Sequence, residues 1–222
     1  MKKKIALIGS GAFASRVVDI IESTNKFEII GYFDGYASVG DIINGYKILG
    51  NDNDAFIMYG EGLFDCVIIC LAYTQFAQKK KLFELYSNKI PFATIIHPTA
   101  YVSPKSNIGA GVIVCENATI CKGASIENNV TIKPGVLVSH DSKIGKHSFI
   151  AARVAIAGLV EIGECCFIGI NATIRNRITI GDNVVLGMGS VALKNLNANS
   201  IYVGNPAHYL KANIDYNSSN TE

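Results

Sequence analysis

The chain has no stretch of about 18 consecutive apolar residues, the minimum for a membrane-spanning helix, so no transmembrane segment is expected. It also lacks any long block of like charge. Its 20 Lys and Arg against 18 Asp and Glu leave a net charge of +2, which argues against a dedicated nucleic-acid binder. Six cysteines occur, none in the C-x-x-C spacing of a zinc site. Cys115, Cys121 and Cys166 fall where a small buried residue fits. Together with Cys66, Cys70 and Cys165 they read as reduced core residues of a cytoplasmic protein. The opening Met1-Lys2-Lys3-Lys4 has the charge of a secretory leader. Its apolar run is nevertheless broken at Gly9-Ser10-Gly11 and soon reaches Arg16 and Asp19, so it is read as part of a folded domain.

What is present is a strict period of six. Ile96, Val102, Ile108, Val114, Ile120, Ile126, Ile132, Val138, Ile144, Ile150, Ile156, Ile162, Ile168, Ile174, Ile180 and Leu186 are all aliphatic. Neither a 3.6-residue helix nor an alternating strand produces that spacing. A chain that turns a corner every six residues does. Small or β-branched residues stand two places earlier (Ala118, Ala124, Val130, Ser142, Ser148), and glycine often follows, as at Gly109, Gly145, Gly163 and Gly181. This is the hexapeptide pattern of a parallel β-helix, whose coils bury most of their apolar surface against one another. Three hexads per coil give 5 coils between Val102 and Ala192.

The first ninety residues have another rhythm. Lys4–Ile8 reads as a buried strand, Gly9–Ala14 as a tight turn opening a helix through Val17 and Ile21, and Phe27–Phe33 as a second strand ending in Asp34-Gly35. Asp65–Leu71 reads as a third strand, followed by a helix through Phe76, Leu82 and Tyr86. The expected organisation is a Rossmann-like βαβ domain over residues 1–91, a left-handed parallel β-helix over 92–212, and a disordered polar tail over 213–222. A small-residue turn at a helix N-terminus offers backbone N–H groups to a phosphate. Asp34 stands where an acid accepts from a ribose hydroxyl. An empty turn and a nicotinamide-dependent dehydrogenase are the rival readings. The second requires twice the βαβ unit visible here, so a nucleotide-linked ligand fits the size better.

Four histidines limit the candidate bases. His97 precedes Pro98 at the domain junction, and His208 lies past the last coil, so both read as structural or solvated. His147 falls on a coil surface without an adjacent acid. His140 immediately precedes Asp141, a carboxylate able to fix its tautomer and raise its basicity.

With these residues in place the chain resembles the hexapeptide-repeat sugar acyltransferases of the sialic acid O-acetyltransferase type, which include bacterial nucleotide-sugar N-acetyltransferases. The resemblance covers nearly the whole chain. It is carried by Ile96–Val102, the His140-Asp141 step, Phe167–Ala172, Leu186–Val191 and Val203–Ala207. It implies a homotrimer with active sites between subunits, acetyl-CoA along the prism edge and no metal. It also implies a nucleotide-linked amino sugar held by the N-terminal domain, in the setting of bacterial surface glycan synthesis. By position, His140 matches the general base, Asp141 its modulating acid and Gly158 a backbone donor to the thioester oxyanion. Ile170 and Met188 match coenzyme-contacting positions. Gly11, Ala12, Phe13, Asp34, Gly35 and Ala72 match nucleotide-sugar positions. The chain departs from the pattern at several places. Phe149 stands where a second, coenzyme-proximal histidine is common, so the polar role of that histidine is either missing or taken over by His147 or Arg153. Phe13 replaces a first-loop histidine, Gly35 the second of two acids, Met188 a frequent glycine and Lys133-Pro134 a common Asn-Thr. The expected reaction is direct acetyl transfer to an amine, with none of the cysteines as nucleophile. Acylation of a sugar or sialic acid hydroxyl is one alternative. A non-catalytic trimer that binds a nucleotide sugar is the other.

Overall fold

The computed structural model describes residues 2–214, in two compact units that divide the chain at Ile95/Ile96. The N-terminal unit contains β1 (Lys3–Ile8), α1 (Ala12–Thr24), β2 (Phe27–Phe33), β3 (Ile42–Ile43), β4 (Tyr46–Gly50), α2 (Asp52–Gly60), β5 (Cys66–Ile69) and α3 (Phe76–Ser87). Its sheet runs β3-β4-β2-β1-β5; β4, β2, β1 and β5 are parallel, and β3 pairs antiparallel with β4. Ala6, Ile8, Phe33, Val67 and Ile69 pack with Ala55 of α2 and with Leu82, Phe83 and Tyr86 of α3. Strand alternation turns Ile5, Leu7 and Ile68 to the opposite face, where they are also buried. The apolar stripe of α1, Ala14, Val17, Val18, Ile20 and Ile21, is the buried helix surface left to cover it.

The sheet is larger than the sequence reading anticipated, because residues 36–64 form a hairpin and a helix. Asn44 and Gly45, both with positive φ, make the two-residue turn joining β3 to β4. Asn51 caps α2, accepting from the Asn53 and Asp54 amides while Asp54 accepts from the Asn51 amide. Both signals were legible as Asn-Gly and Asn-x-x-Asp, but neither lies in a long periodic segment.

In the second unit two-residue strands recur every six residues and pair in parallel with strands 18 residues away, as Thr119 does with Tyr101 and Leu137. Three faces of six, five and eight strands result, and the last is closed by Ser200–Val203 and the antiparallel His208–Ala212. The aliphatic ladder from Val114 to Leu186 is almost fully buried in one continuous core, with Ile96, Val102 and Ile108 packed partly buried at its start. Each such side chain contributes about 1.5–3 kcal/mol relative to exposure. The corners have their own rule. Gly111, Asn117, Gly123, Asn129, Gly135, Asp141, His147, Arg153, Leu159, Cys165, Asn171, Arg177, Asn183 and Gly189 all have positive φ. Gly and Asn take that conformation readily, whereas the others accept a cost of roughly 1–2 kcal/mol each.

Three expectations change. Cys66, Cys70, Cys115 and Cys166 are buried, but Cys121 and Cys165 are only half-buried, and Cys165 stands at a positive-φ corner. His147 is not a surface group: it is buried, and its Nδ1 lies 2.9 Å from Asn129 Nδ2. Asn213, assigned to the tail, is buried and bonded to Asn183 through its side chain and to Asn199 through its amide. Ile214, next in that segment, is exposed, and residues 215–222 lie outside the described residues. Among the described residues no helix is long and apolar enough to cross a membrane.

Candidate active site

The parallel strands of the N-terminal unit place the first and last of them, β1 and β5, side by side, while the second and third lie beyond β1. Connections leave β1 and β5 in opposite directions, and the crevice at their carboxyl ends is where open α/β sheets bind ligands. A cleft of about 520 Å³ lies here, lined by Gly9, Ser10, Gly11, Asp34, Gly35, Tyr36, Asp52, Leu71, Gln75 and Gln78, among others. Gly11 is the N-cap of α1, in extended conformation and without a side-chain cap, and no acid stands in the first turn. The cap residue makes no side-chain hydrogen bond to the first turn, and a helix terminus of that kind suits an anion.

Asp34 ties this loop to the end of β2. One carboxylate oxygen accepts from both the Ser10 amide (2.8 Å) and the Ser10 hydroxyl (2.7 Å), and the other from the Tyr36 amide (2.9 Å). Burial opposes its ionisation, but these bonds and one from the Ala37 amide outweigh that and hold its carboxyl below the ordinary value of 3.8. Asp34 therefore shapes the loop as well as facing the cleft. Gly11, Asp34 and Gly35 line the cleft; Ala12 and Phe13 follow in the first turn of α1, and Ala72 adjoins Leu71. Sequence reasoning missed Ser10, Tyr36, Asp52, Gln75 and Gln78. Asp52 also accepts from the buried Tyr86 hydroxyl at 2.9 Å.

On the β-helix, the chemistry gathers at one corner. His140 Nδ1 lies 2.9 Å from Asp141 Oδ2, and the two side chains are 62% and 56% exposed. A carboxylate at that distance accepts a hydrogen bond from Nδ1–H, which leaves Nε2 as the nitrogen able to accept a proton. Eighteen residues on, a Cβ at Gly158 would lie 2.5 Å from His140 Nε2 and 2.7 Å from Cε1. The imidazole occupies the place of a side chain at 158, with its free nitrogen toward that corner. Eighteen residues back, a Cβ at Gly123 would collide with Asp141 Oδ1. The histidine and its carboxylate thus lie over two glycines, one on each neighbouring coil. Several corner amides of the coil lack a backbone acceptor; Asn128 and Asp182 cap two of them, at Ala110 and Glu164. The Gly158 amide has no acceptor among the described residues. It is a fixed donor beside a fixed acceptor. The two glycines are the signal that sequence reasoning half missed, since Gly158 was noted only for its amide and Gly123 not at all.

Ile170 and Met188 stack one coil apart on a different edge, 42% and 73% exposed. Phe149 does not join them. It is buried on the eight-stranded face, stacked on Phe167 at 6.0 Å between ring centroids, with the Lys133 ammonium 6.0 Å from its ring. Buried thiols offer no nucleophile: desolvation pushes Cys66 up to about 11 and Cys166 to about 12.

Known proteins share this architecture. The PglD N-terminal domain family matches residues 4–84, and the bacterial transferase hexapeptide family matches 123–158 and 160–192. A variant of perosamine N-acetyltransferase from Caulobacter crescentus, solved with CoA and GDP-perosamine, superposes with a TM-score of 0.87 at 24% identity over 93% of this chain and 96% of that one. The acetyltransferase domain of PglB from Neisseria gonorrhoeae, solved with acetyl coenzyme A, gives 0.84 at 24% identity over 95% and 100%. WeeI from Acinetobacter baumannii gives 0.58 at 22% over 93% and 99%.

Proposed function

Since the chain belongs to the hexapeptide-repeat sugar acyltransferases that carry a PglD-type N-terminal domain, we propose that it is an acetyl-CoA-dependent N-acetyltransferase acting on the amino group of a nucleotide-linked deoxy sugar. The observation that carries this reading is the His140–Gly158 pair: a proton acceptor and an unpaired backbone donor held at one corner by an 18-residue register. His140 Nε2 takes the proton as the acceptor nitrogen bonds to the acetyl carbon. The Gly158 amide stabilises the charge that develops on the carbonyl oxygen, and the carbon–sulfur bond breaks to release CoA as a thiolate, which takes the proton held on His140. Asp141 holds the ring in the required tautomer. No residue of the chain is acylated, in keeping with the raised thiols.

Two features favour a homotrimer with shared sites. The His140–Asp141 pair is too exposed in one chain to exclude water from the reaction. The exposed apolar pair Ile170 and Met188 lies on a separate edge of the same prism. A neighbouring copy is what brings one edge to the other. The N-terminal cleft, with uncapped helix amides, suits the diphosphate of a nucleotide sugar. This kind of ligand also accompanies a structural relative, which was solved with GDP-perosamine.

The test is thiol release from acetyl-CoA against a panel of UDP-, GDP- and dTDP-linked amino sugars, with the matching hydroxy sugars and sialic acid alongside. Release with an amino sugar supports the reading. Release confined to hydroxyl acceptors would replace it with O-acylation, and nucleotide-sugar binding without turnover would leave a binding trimer. Light scattering should give about three times 23.8 kDa.

A further inference from the structure

Three neighbouring parallel strands end at the N-terminal cleft in succession. β1 leads to Gly11, β2 to Asp34 and β4 to Asp52, and the sheet order β4-β2-β1 sets these ends side by side. The Asp34 amide donates to the Gly50 carbonyl at 2.9 Å, so the end of β4 adjoins Asp34 on the side away from Gly11. From β1 to β4 is two strand spacings, roughly 10 Å. A nucleoside diphosphate with its phosphates at the Gly11 turn and its ribose at Asp34 therefore carries its base to Asp52. Other groups lining this end of the cleft are indifferent to the base, since the Gln75 and Gln78 amides both donate and accept and the exposed Tyr36 ring can stack on any of them. Asp52 is not indifferent. A carboxylate accepts and cannot donate.

That carboxylate is also held in one orientation. Oδ1 accepts from the Tyr86 hydroxyl at 2.9 Å, and among the described residues Oδ2 accepts from nothing. Tyr86 is fully buried; burial first, and then Asp52, push its phenol up, so it stays a donor. Nor does α2 need Asp52 as a cap, because Asn51 and Asp54 cap it. We infer that Asp52 reads the nucleobase and selects guanine, so that the acceptor is a GDP-linked amino sugar. Guanine is the base whose Watson–Crick edge sets two donors side by side, N1–H and the 2-amino group, opposite the two oxygens of a carboxylate. Uracil and thymine offer one N–H between two carbonyl oxygens, and adenine and cytosine set their amino group beside a ring nitrogen that accepts. Each would turn an acceptor toward Asp52. The inference rests on the reading of the cleft as the nucleotide-sugar site and adds the base to it.

Calorimetric titration of the whole protein tests this, with GDP, IDP, UDP, dTDP and ADP as probes. IDP is GDP without the 2-amino group. Wild type should bind GDP about thirtyfold more tightly than UDP, dTDP or ADP and about tenfold more tightly than IDP, a comparison that needs no variant. Asp52→Asn is nearly isosteric and keeps the bond from Tyr86, which places the carboxamide oxygen at Oδ1 and its NH₂ group where Oδ2 was. A donor then faces the guanine donors, so GDP affinity should fall about thirtyfold and its margin over IDP should vanish. The same carboxamide, with acceptor and donor side by side, matches the N3–H and a carbonyl of uracil, so UDP affinity should rise about threefold. Equal affinity of wild type for all five diphosphates, or a preference for UDP, dTDP or ADP, would overturn the inference and leave the cleft as a nucleotide site. So would a preference for GDP that Asp52→Asn leaves intact. Wild type that binds none of the five refutes the nucleotide reading of the cleft itself.

Discussion

In residues 1–95 every element differs from the next, and the ligand cleft falls where connections leave β1 and β5 in opposite directions. In residues 96–214 one six-residue unit recurs, and the candidate chemistry falls where the recurrence holds an unusual residue. A cleft in the first unit is a consequence of topology: any sequence with this strand order has a crevice there, and Ser10 and Asp34 give it a shape. A site in the second is a consequence of identity. The corners share one backbone conformation, so only the side chains distinguish the His140 corner from its neighbours.

The sharpest way to break this contrast is to delete the unusual residue while leaving the lattice intact. His140→Ala should fold and assemble as wild type and lose roughly 10²- to 10⁴-fold in kcat, the usual worth of a positioned base. Steady-state kinetics with the accepted nucleotide sugar would show it. Gly158→Ala keeps the backbone amide but places a methyl where the imidazole lies. We expect a kcat loss on the order of a hundredfold with little change in either KM; an unaffected kcat would remove His140 from that position.

The first unit should answer in KM instead. Asp34→Ala removes the acceptor for Ser10 and Tyr36 and opens the loop. The KM for the nucleotide sugar should rise about tenfold to a hundredfold while that for acetyl-CoA stays within about twofold. A rise confined to acetyl-CoA would exchange the roles of the two units. The same latch has a pH signature. Because the folded state holds the Asp34 carboxyl below 3.8, its contribution to stability is complete above that value and is lost as pH falls below it. Asp34→Asn should therefore flatten the acid limb of a thermal-stability profile.

Smaller again is Gly123→Ala. The substitution collides with Asp141 and strains a residue at φ +76°, so kcat should fall about tenfold, as Asp141→Asn also lowers it, with both substrate affinities preserved. A loss of stability with unchanged kcat would show that Gly123 serves only the corner.

The β-helix was legible because its signal is redundant: sixteen aliphatics at one spacing report a single fact about stacking. The His140-Asp141 step was legible because its partners are adjacent in the chain. What was not legible acts across coils or between elements. Gly123 and Gly158 stand 18 residues from the groups that need them small, and glycine is common at such corners, so nothing local marks these two. His147 looked exposed because its neighbours are polar, whereas the corner turns it onto Asn129. In the first unit, the hairpin over residues 42–50 and Asp52 lie in a stretch without hydrophobic periodicity, which hid both the fourth parallel strand and part of the cleft lining.

The claim on which the rest depends is that one site is completed by two copies of the chain, the base on one and the apolar edge on the next. Mixed trimers test it most directly. His140→Ala and Met188→Glu subunits, each inactive alone, are co-expressed with different tags, isolated as mixed assemblies, and assayed for thiol release. Every mixed trimer, of either composition, sets an intact base edge against an intact apolar edge at one of its three interfaces, so the isolated assemblies should recover about a third of wild-type turnover. Mixed assemblies no more active than either parent would place the whole site on one chain and contradict the account.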